Sequence, residues 1–365
     1  MMGNRHKASA GGTSVIICLI AVILVGCASA SASPSVQSLS FSWAYRAGDY
    51  VRGVPTVADG VAYVGADDNA LHAVDVASGA GLWTYQTEDN VTAAPVVAGD
   101  SVILGSWDGS VYALTRTDGS LRWRFQTDGW ITGSLAASQS ANAAGVSIYV
   151  GSHDGFLYSL NADDGSLRWK GQTDGRIAGG IALMDDALFF GSSDGYVYAL
   201  SSADGALLWR FRAAGDVVST PAVSDGYVYV SSLARRVYAL NAGTGELAWS
   251  YELGMGSECS PAVANGTVYV GSDDGRLYAI DVKDGTLAWR FEAQDIVRSA
   301  PLIHQSLVFF GSDDGHLYAI DARSGEQVWR YRTGGAIAAG PAATGDLIVV
   351  GSTDRRLHAF RLGAQ

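Results

Sequence analysis

The chain has 365 residues, of which 48% are hydrophobic and 16% charged, and its formal net charge is −12. This composition is typical of a folded protein, and the length allows one large domain or two. The acidic balance argues against nucleic acid as a partner and against electrostatic attachment to a membrane surface.

The N-terminal segment predicts export. Arg5 and Lys7 precede an apolar run, residues 15–25, that is too short for a comfortable membrane span. The run ends in Leu24-Val25-Gly26-Cys27, which resembles the bacterial lipobox, where the cysteine becomes the lipid-bearing N-terminus. We predict a lipoprotein signal peptide over residues 1–26; an ordinary secretory signal cut near Ala28 is the alternative.

Residues 27–39 are rich in Ser and Ala and predict a flexible tether. Removal of residues 1–26 takes away two positive charges and no acid, so the net charge moves from −12 to −14. Lipid on Cys27 would therefore hold the protein at a membrane. We expect an exported, lipid-anchored protein, on the periplasmic side of the outer membrane if the host has one and at the cell surface otherwise.

Beyond the tether the sequence is a repeat of about 40 residues. Each unit holds four short runs of β-branched and aromatic residues, separated by Asn-Gly or Asp-Gly turns that suit tight hairpins. This pattern predicts a four-stranded antiparallel propeller blade. One tryptophan marks the last strand of each unit, spaced by 40 residues except for one gap of 46: Trp43, Trp83, Trp123, Trp169, Trp209, Trp249, Trp289 and Trp329.

Counting the units predicts how the ring closes. Seven complete units run over residues 51–333, and an eighth from Ile337 supplies only three strands. The missing strand, Phe41–Asp49, aligns with Leu287–Asp295 of the sixth unit. We predict an all-β, eight-bladed propeller over residues 40–363, a single domain in which the N-terminal strand completes the last blade. The eight tryptophans listed above would lock blade to blade, and we assign none of them to a ligand.

The units resemble the repeat family named for pyrroloquinoline quinone, whose motif is Ala-x-Asp-x-x-x-Gly-x-x-x-Trp. The sixth unit matches it with Ala279, Asp281, Gly285 and Trp289, whereas Asn161, Asn241, Ser201 and Thr115 replace the Asp in other units. One branch of the family comprises longer quinone-dependent dehydrogenases, which hold calcium and a catalytic Asp in the central channel. The other is a lipoprotein subunit of the outer-membrane β-barrel assembly machinery, a bare eight-bladed propeller on a short tether, and this chain shares that layout.

The turns between second and third strands and the crossovers between blades should lie on one face, which we call the crossover face. Here the units differ from one another. Trp107 and Trp130, the only tryptophans outside the repeat, fall on this face, and exposed Trp and Arg are favoured interface anchors. Either these residues bind a protein or they cap blade edges. The candidates are Trp107, Trp130, His153, Arg176, Arg235, Arg236, Met255, Glu258, Arg298, Arg355 and Arg356.

No catalytic or metal site is predicted. Asp-Gly recurs in most units, whereas a catalytic site occurs once. The segment Asp273–Asp284 has no Glu at the twelfth position of a calcium loop. His72 and His358 occupy a position that Tyr fills in other units and are read as structural, and Cys259, the one thiol left after cleavage and lipidation, as a small buried hydrophobe.

Two functions remain open at this point. The first is a non-enzymatic, monomeric, lipid-anchored scaffold that binds envelope proteins, including the barrel-assembly pore protein, and takes no cofactor. The alternative is a propeller that binds quinone or another small ligand in its central channel. For the channel we expect mostly small residues, with Arg52, Arg176 and Arg298 as anion partners. The small residues are Ala93, Gly133, Gly179, Ser219, Cys259, Ser299 and Ala339.

Overall fold

The structure is a computed structural model that describes residues 38–138 and 145–363. These residues form eight four-stranded antiparallel sheets, and the innermost strands of neighbouring sheets adjoin one another around a common axis. The fold is the predicted eight-bladed β-propeller. The predicted signal peptide, Cys27 and most of the tether lie outside the described residues. Within the described ranges, no helix has the length and apolarity to span a bilayer.

The strands nearest the axis are short. They are β2 (Thr56–Ala58), β6 (Val96–Ala98), β10 (Ala136–Ala137), β14 (Ala182–Met184), β18 (Ala222–Ser224), β22 (Ala262–Ala264), β26 (Leu302–His304) and β30 (Ala342–Thr344). The second strands are almost wholly buried and supply most of the core. They are β3 (Val61–Ala66), β7 (Ser101–Gly105), β11 (Ser147–Gly151), β15 (Ala187–Gly191), β19 (Tyr227–Ser232), β23 (Thr267–Gly271), β27 (Leu307–Gly311) and β31 (Leu347–Ser352).

The third strands are also largely buried. They are β4 (Ala70–Asp75), β8 (Ser110–Thr115), β12 (Phe156–Asn161), β16 (Tyr196–Ser201), β20 (Arg236–Asn241), β24 (Arg276–Asp281), β28 (His316–Asp321) and β32 (Arg356–Leu362). The outer strands are largely exposed, and their exposed residues alternate mostly with partly buried ones. They are β5 (Gly81–Gln86), β9 (Leu121–Gln126), β13 (Leu167–Gln172), β17 (Leu207–Arg212), β21 (Leu247–Glu252), β25 (Leu287–Glu292), β29 (Gln327–Arg332) and β1 (Leu39–Arg46). We number the blades 1 to 8, from β2–β5 to β30–β32.

Blade 8 is completed by the N-terminal strand, as predicted. β1 pairs antiparallel with β32, and Trp43 lies opposite Ala359. The same register places Trp289 opposite Ala279 in blade 6. Because every outer strand is then present, the ring closes with strands from both ends of the chain.

The inner strands are shorter than the sequence predicts. In blade 6 the first run of the unit, Cys259–Ala264, predicts a strand from Cys259, but β22 begins at Ala262. Pro261 cannot donate to a ladder, and the residues before it turn toward neighbouring blades. The Cys259 thiol lies 3.3 Å from the Ser299 carbonyl oxygen, and the Ser260 hydroxyl accepts from the Thr220 amide at 2.9 Å.

The repeated tryptophans join each blade to the next. The indole N–H of Trp209 donates to the Ala242 carbonyl at 2.8 Å, and equivalent bonds come from every repeated tryptophan except Trp329. Each of these seven rings also covers the motif glycine of the following blade. At Gly245 φ is +73°, and a Cβ would lie 2.6 Å from the Trp209 ring. The motif therefore needs glycine for its backbone conformation and for the space it leaves.

Candidate functional site

The crossover face forms as predicted. Backbone bonds tie each turn between second and third strands to a crossover, as where the Trp107 amide donates to the Asn90 carbonyl at 2.9 Å. On the opposite face, the turn after β4 bonds to the turn before β3, since the Val76 amide donates to the Gly60 carbonyl at 2.9 Å. The variable turns and crossovers therefore share one surface.

The repeated aspartate of the crossover face joins neighbouring blades through hydrogen bonds. In blade 4, Asp194 accepts hydrogen bonds from the Tyr198 hydroxyl at 2.8 Å and from the Asp174 amide of the preceding crossover at 3.1 Å. Asp68, Asp108, Asp154, Asp314 and Asp354 accept from crossover amides in the same way. Burial opposes the charge of Asp108, but bonds from Tyr112 and two backbone amides outweigh it and lower its pKa. These acids are thus structural groups that join neighbouring blades.

The acids Asp273–Asp284 also have separate structural tasks. The carboxylate of Asp274 accepts from the Tyr278 hydroxyl at 2.5 Å, Asp281 from the Lys283 amide at 2.8 Å, and Asp284 from the Thr286 amide at 3.0 Å. Asp273 lies on the crossover face, 3.9 Å from Arg298. Among the described residues, no group of three or more His, Cys, Asp or Glu side chains could hold a metal ion.

Two of the predicted candidates stack directly on one another. The rings of Trp107 and Trp130 lie 5.2 Å apart at an angle of 13°, and His153 follows 5.7 Å from Trp130. Threonines hold both ends, since the Trp107 indole donates to Thr92 at 2.8 Å and the Thr132 hydroxyl lies 2.9 Å from His153 Nε2. Trp130 remains 51% exposed in the middle. The stack bridges the seam between blades 2 and 3.

Arg176, in the crossover between blades 3 and 4, is exposed and hydrogen-bonds Ser193 at 3.3 Å. Burial, and then the positive charge of Arg176, lower the pKa of His153. His153 is therefore neutral at neutral pH. We call Trp107, Trp130, His153 and Arg176 the aromatic patch.

Arg298 and Glu258 meet in a separate ionic cluster. Arg298 pairs with Asp313 at 2.6 Å and with Glu258 at 3.6 Å. Arg52, which the sequence also predicts as an anion partner, is paired with Asp67 at 2.6 Å. Burial raises the pKa of Asp67 and of Asp313. The carboxylates already neutralise both arginines, so neither offers a free positive charge to an anionic ligand.

The remaining candidates lie on other blades. Arg235 and Arg236 of blade 5 both reach Glu252, at 3.3 and 3.7 Å. Met255 is exposed in the crossover between blades 5 and 6. In blade 8, Arg356 lies 3.8 Å from Asp354, and Arg355 holds a positive φ of 68° in its turn. None of these residues belongs to the aromatic patch.

The predicted channel lining is wrong, because the seven small residues are buried rather than open to a channel. They pack one blade on the next: a Cβ on Gly133 would lie 2.1 Å from the Gly179 carbonyl oxygen, and the Ser299 hydroxyl donates to Ala339 at 2.9 Å. Cys259 is fully buried as predicted, and burial raises the pKa of its thiol to about 12.

Near the axis, a cavity of about 740 Å³ lies along the inner strands of blades 1–3, and its lining residues, which include Val57, Val97 and Leu135, carry no charged side chain. Pyrroloquinoline quinone carries carboxylates, which need cationic or hydrogen-bonding partners. The lining of this cavity supplies no cation for those carboxylates.

A family model described as "Outer membrane protein assembly factor BamB" matches residues 40–177, 172–260 and 252–364. The chain belongs to this family. A search among curated protein sequences gave no match. Sequence reasoning missed Thr92 and Thr132, although their common place 40 residues apart in the repeat could have marked them as supports of the patch.

Solved structures share the fold at low identity. BamB from Moraxella catarrhalis superposes with a TM-score of 0.76 and 20% identity, covering 89% of this chain and all of that one. The computationally designed Ika8 protein gives 0.75 and 16%, covering 87% and 97%. Quinohemoprotein alcohol dehydrogenase from Comamonas testosteroni gives 0.78 and 17%, covering 90% of this chain and 77% of that one. These likenesses show the propeller fold.

Proposed function

We propose that the chain is a non-enzymatic, lipid-anchored scaffold of the cell envelope that binds other proteins through the aromatic patch. The observation that carries the proposal is the stack of Trp107, Trp130 and His153, with Trp130 half exposed in the middle of the stack. Exposed aromatic groups beside an arginine are typical anchors of protein interfaces.

Family membership supports the choice of partner. The family description names outer membrane protein assembly, and we propose that the partner is an envelope protein such as the barrel-assembly pore protein. Lipid on Cys27 would keep the scaffold at the membrane. The described residues contain neither a candidate metal cluster nor a cationic lining of the axial cavity, and the proposal therefore includes no cofactor.

The test is a crosslinked pull-down of the lipidated protein from native envelope. The double variant Trp107→Ala, Trp130→Ala should capture the pore protein or another envelope partner much less than the wild type. Tyr50→Ala is the matched control, because Tyr50 is exposed and occupies the repeat position of Trp130 at a different seam. Equal capture by the double variant and the control would overturn the proposal, as would a large fall in the melting temperature of the double variant, which would mark the patch as structural.

A further inference from the structure

One position of the outer strand, two residues after the repeated tryptophan, is aromatic in seven of the eight blades. These residues are Tyr45, Tyr85, Phe125, Phe211, Tyr251, Phe291 and Tyr331. Each ring packs on the ring that the following blade presents from its third strand, with centroids 5.3–6.3 Å apart. At these seven seams an aromatic pair fills the space between blades.

Blade 3 has Gly171 at this position. A cavity of about 280 Å³ is present at the seam with blade 4, lined by Phe190, Tyr198, Leu200, Leu207 and the exposed Arg210, among others. For scale, an apolar cavity of about 150 Å³ in another protein binds benzene. The space is therefore large enough for an aromatic ring.

Blade 7 shows how an aromatic ring fills the equivalent space at another seam. There Phe310 and Tyr318 stack at 5.2 Å, and Phe291 of blade 6 completes the cluster at 5.9 and 5.3 Å. In blade 4 the equivalent pair, Phe190 and Tyr198, stacks in the same way at 5.4 Å. Its neighbour Tyr196, 6.0 Å from Tyr198, belongs to blade 4 itself, and no ring from the described part of blade 3 packs on the pair. The wall that receives a ring is intact, and only the ring is absent.

The strands beside the cavity are basic in an otherwise acidic protein. β13 and β17 carry four Lys or Arg residues and no Asp or Glu. Three of them, Lys170, Arg210 and Arg212, are exposed. Arg210 and Arg212 lie over the ring of Tyr196 at 4.9 and 5.4 Å, on the side of blade 4 that faces the cavity. Lys170 lies over Phe156 at 4.2 Å, on the side of blade 3 that faces blade 2. In the part of the chain that the structure describes, no carboxylate pairs with these three. Asp174 is the single acid at the rim.

We propose that the seam between blades 3 and 4 binds an aromatic side chain of a protein partner, presented by an acidic segment. The seven filled seams indicate that the occupant is an aromatic ring. The exposed cations without a carboxylate partner indicate that acidic residues stand next to that ring in the partner. The proposal deepens the scaffold function and rests on it for the existence of a partner. It adds a second contact, on the outer wall rather than on the crossover face.

The experiment uses the purified full propeller and two pentapeptides with blocked ends, Asp-Asp-Phe-Asp-Asp and Asp-Asp-Ala-Asp-Asp, with binding followed by NMR of the protein. The Phe peptide should bind saturably and the Ala peptide at least about tenfold more weakly. Gly171→Phe should supply the missing ring from within the chain and abolish binding. Gly171→Ala is the matched control, because its Cβ would meet only the end of Leu200 within 3.5 Å and leaves most of the cavity open.

A surface variant keeps the test valid if Gly171→Phe does not fold. Arg210→Glu combined with Arg212→Glu should weaken binding of the Phe peptide by at least about tenfold with an unchanged melting temperature. The proposal is overturned if the Phe peptide shows no saturable binding up to about 1 mM, if it binds Gly171→Phe as well as the wild type, or if an uncharged Phe peptide binds equally well. It is also overturned if the wild type dimerises and Gly171→Phe is monomeric, because a second copy is then the occupant.

The two proposals fail separately. Trp107→Ala, Trp130→Ala should bind the Phe peptide like the wild type, because the aromatic patch lies at another seam. Normal peptide binding without envelope capture would remove the scaffold proposal and leave the site. Envelope capture that depends on the patch, without peptide binding, would remove only the site.

Discussion

Gly245→Ala tests the physical account of the blade lock. Gly245 has a φ of +73°, and a Cβ there would lie 2.6 Å from the ring of Trp209, which is nearly buried and bonded to the Ala242 carbonyl at 2.8 Å. Gly226, in the same blade, has a φ of +78° but open space around the added Cβ. The two glycines share the backbone demand and differ in the contact with tryptophan.

The expected magnitudes differ accordingly. Alanine in the left-handed region costs roughly 1–2 kcal/mol, which is the whole effect expected for Gly226→Ala. At Gly245 the methyl group must also displace a packed indole ring, and overpacking of this kind costs roughly 1–3 kcal/mol more. Gly245→Ala should therefore lower the free energy of unfolding by roughly 2–5 kcal/mol.

Urea unfolding followed by far-UV circular dichroism measures both variants without relying on tryptophan emission. A double-mutant cycle with Trp209→Ala isolates the contact, because Gly245→Ala should cost only the backbone part once the ring is gone. Equal destabilisation by Gly245→Ala and Gly226→Ala, or a cycle without coupling, would refute the lock as the reason for the motif glycine.

Three further predictions concern other parts of the chain. Cys27→Ala should release the protein from membranes, and unchanged retention would refute lipidation. Burial lowers the pKa of His358, so its neutral form stabilises the fold above the unfolded pKa of about 6.5, and this stability is lost as the pH falls below that value. His358→Tyr should thus lose less stability than the wild type between about pH 7.5 and about pH 5.5 in urea unfolding, and an equal loss would contradict this. In blade 6 the carboxylate of Asp274 accepts a hydrogen bond from the Tyr278 hydroxyl, whereas blade 5 has Ala234 at the position of that aspartate and Tyr238 at that of the tyrosine. Ala234→Asp should supply the missing acceptor and raise the free energy of unfolding by about 0.5–1.5 kcal/mol, and a lower urea midpoint would count against this.

The fold could be predicted because the same pattern of strands and turns recurs in eight units of the sequence. A single Asp-Gly turn is ambiguous, but its recurrence with Trp at the end of each unit fixes strand number, blade number and register. Even the closure followed, since Phe41–Asp49 aligned with Leu287–Asp295 and the register of Trp43 in β1 agrees. The start of the inner strands could not be read, because hydropathy does not show that Cys259 turns toward the next blade.

The candidate site was only partly predictable. The repeat singled out Trp107 and Trp130 as exceptions, and the blade geometry placed them on one face, but stacking depends on side-chain orientation that spacing does not give. The predicted channel lining failed because small residues near the axis can pack blade against blade, as Gly133 does against Gly179. The sequence shows that Gly171 is the one residue at its repeat position that is not aromatic. Only the structure shows that a cavity lies at this position, against the neighbouring blade.

Departures from the repeat carry different weight according to their effect on stability. A changed turn residue costs little, whereas leaving out a core ring forfeits packing that is worth roughly 3–5 kcal/mol when a buried Phe is lost. An exposed Trp likewise leaves apolar area in water. Departures that lower stability are the ones expected at functional positions. Two of them concern blade 3, since Trp130 lies in the crossover before it and Gly171 in its outer strand. The single lengthening of the repeat, between Leu135 and Gly151, also lies in this blade. The two proposed contacts open on different surfaces, the crossover face and the outer wall. Two partner segments could therefore bind at the same time, one at each surface. Blade 3 is thus the part of the repeated scaffold that we expect to determine which partner binds.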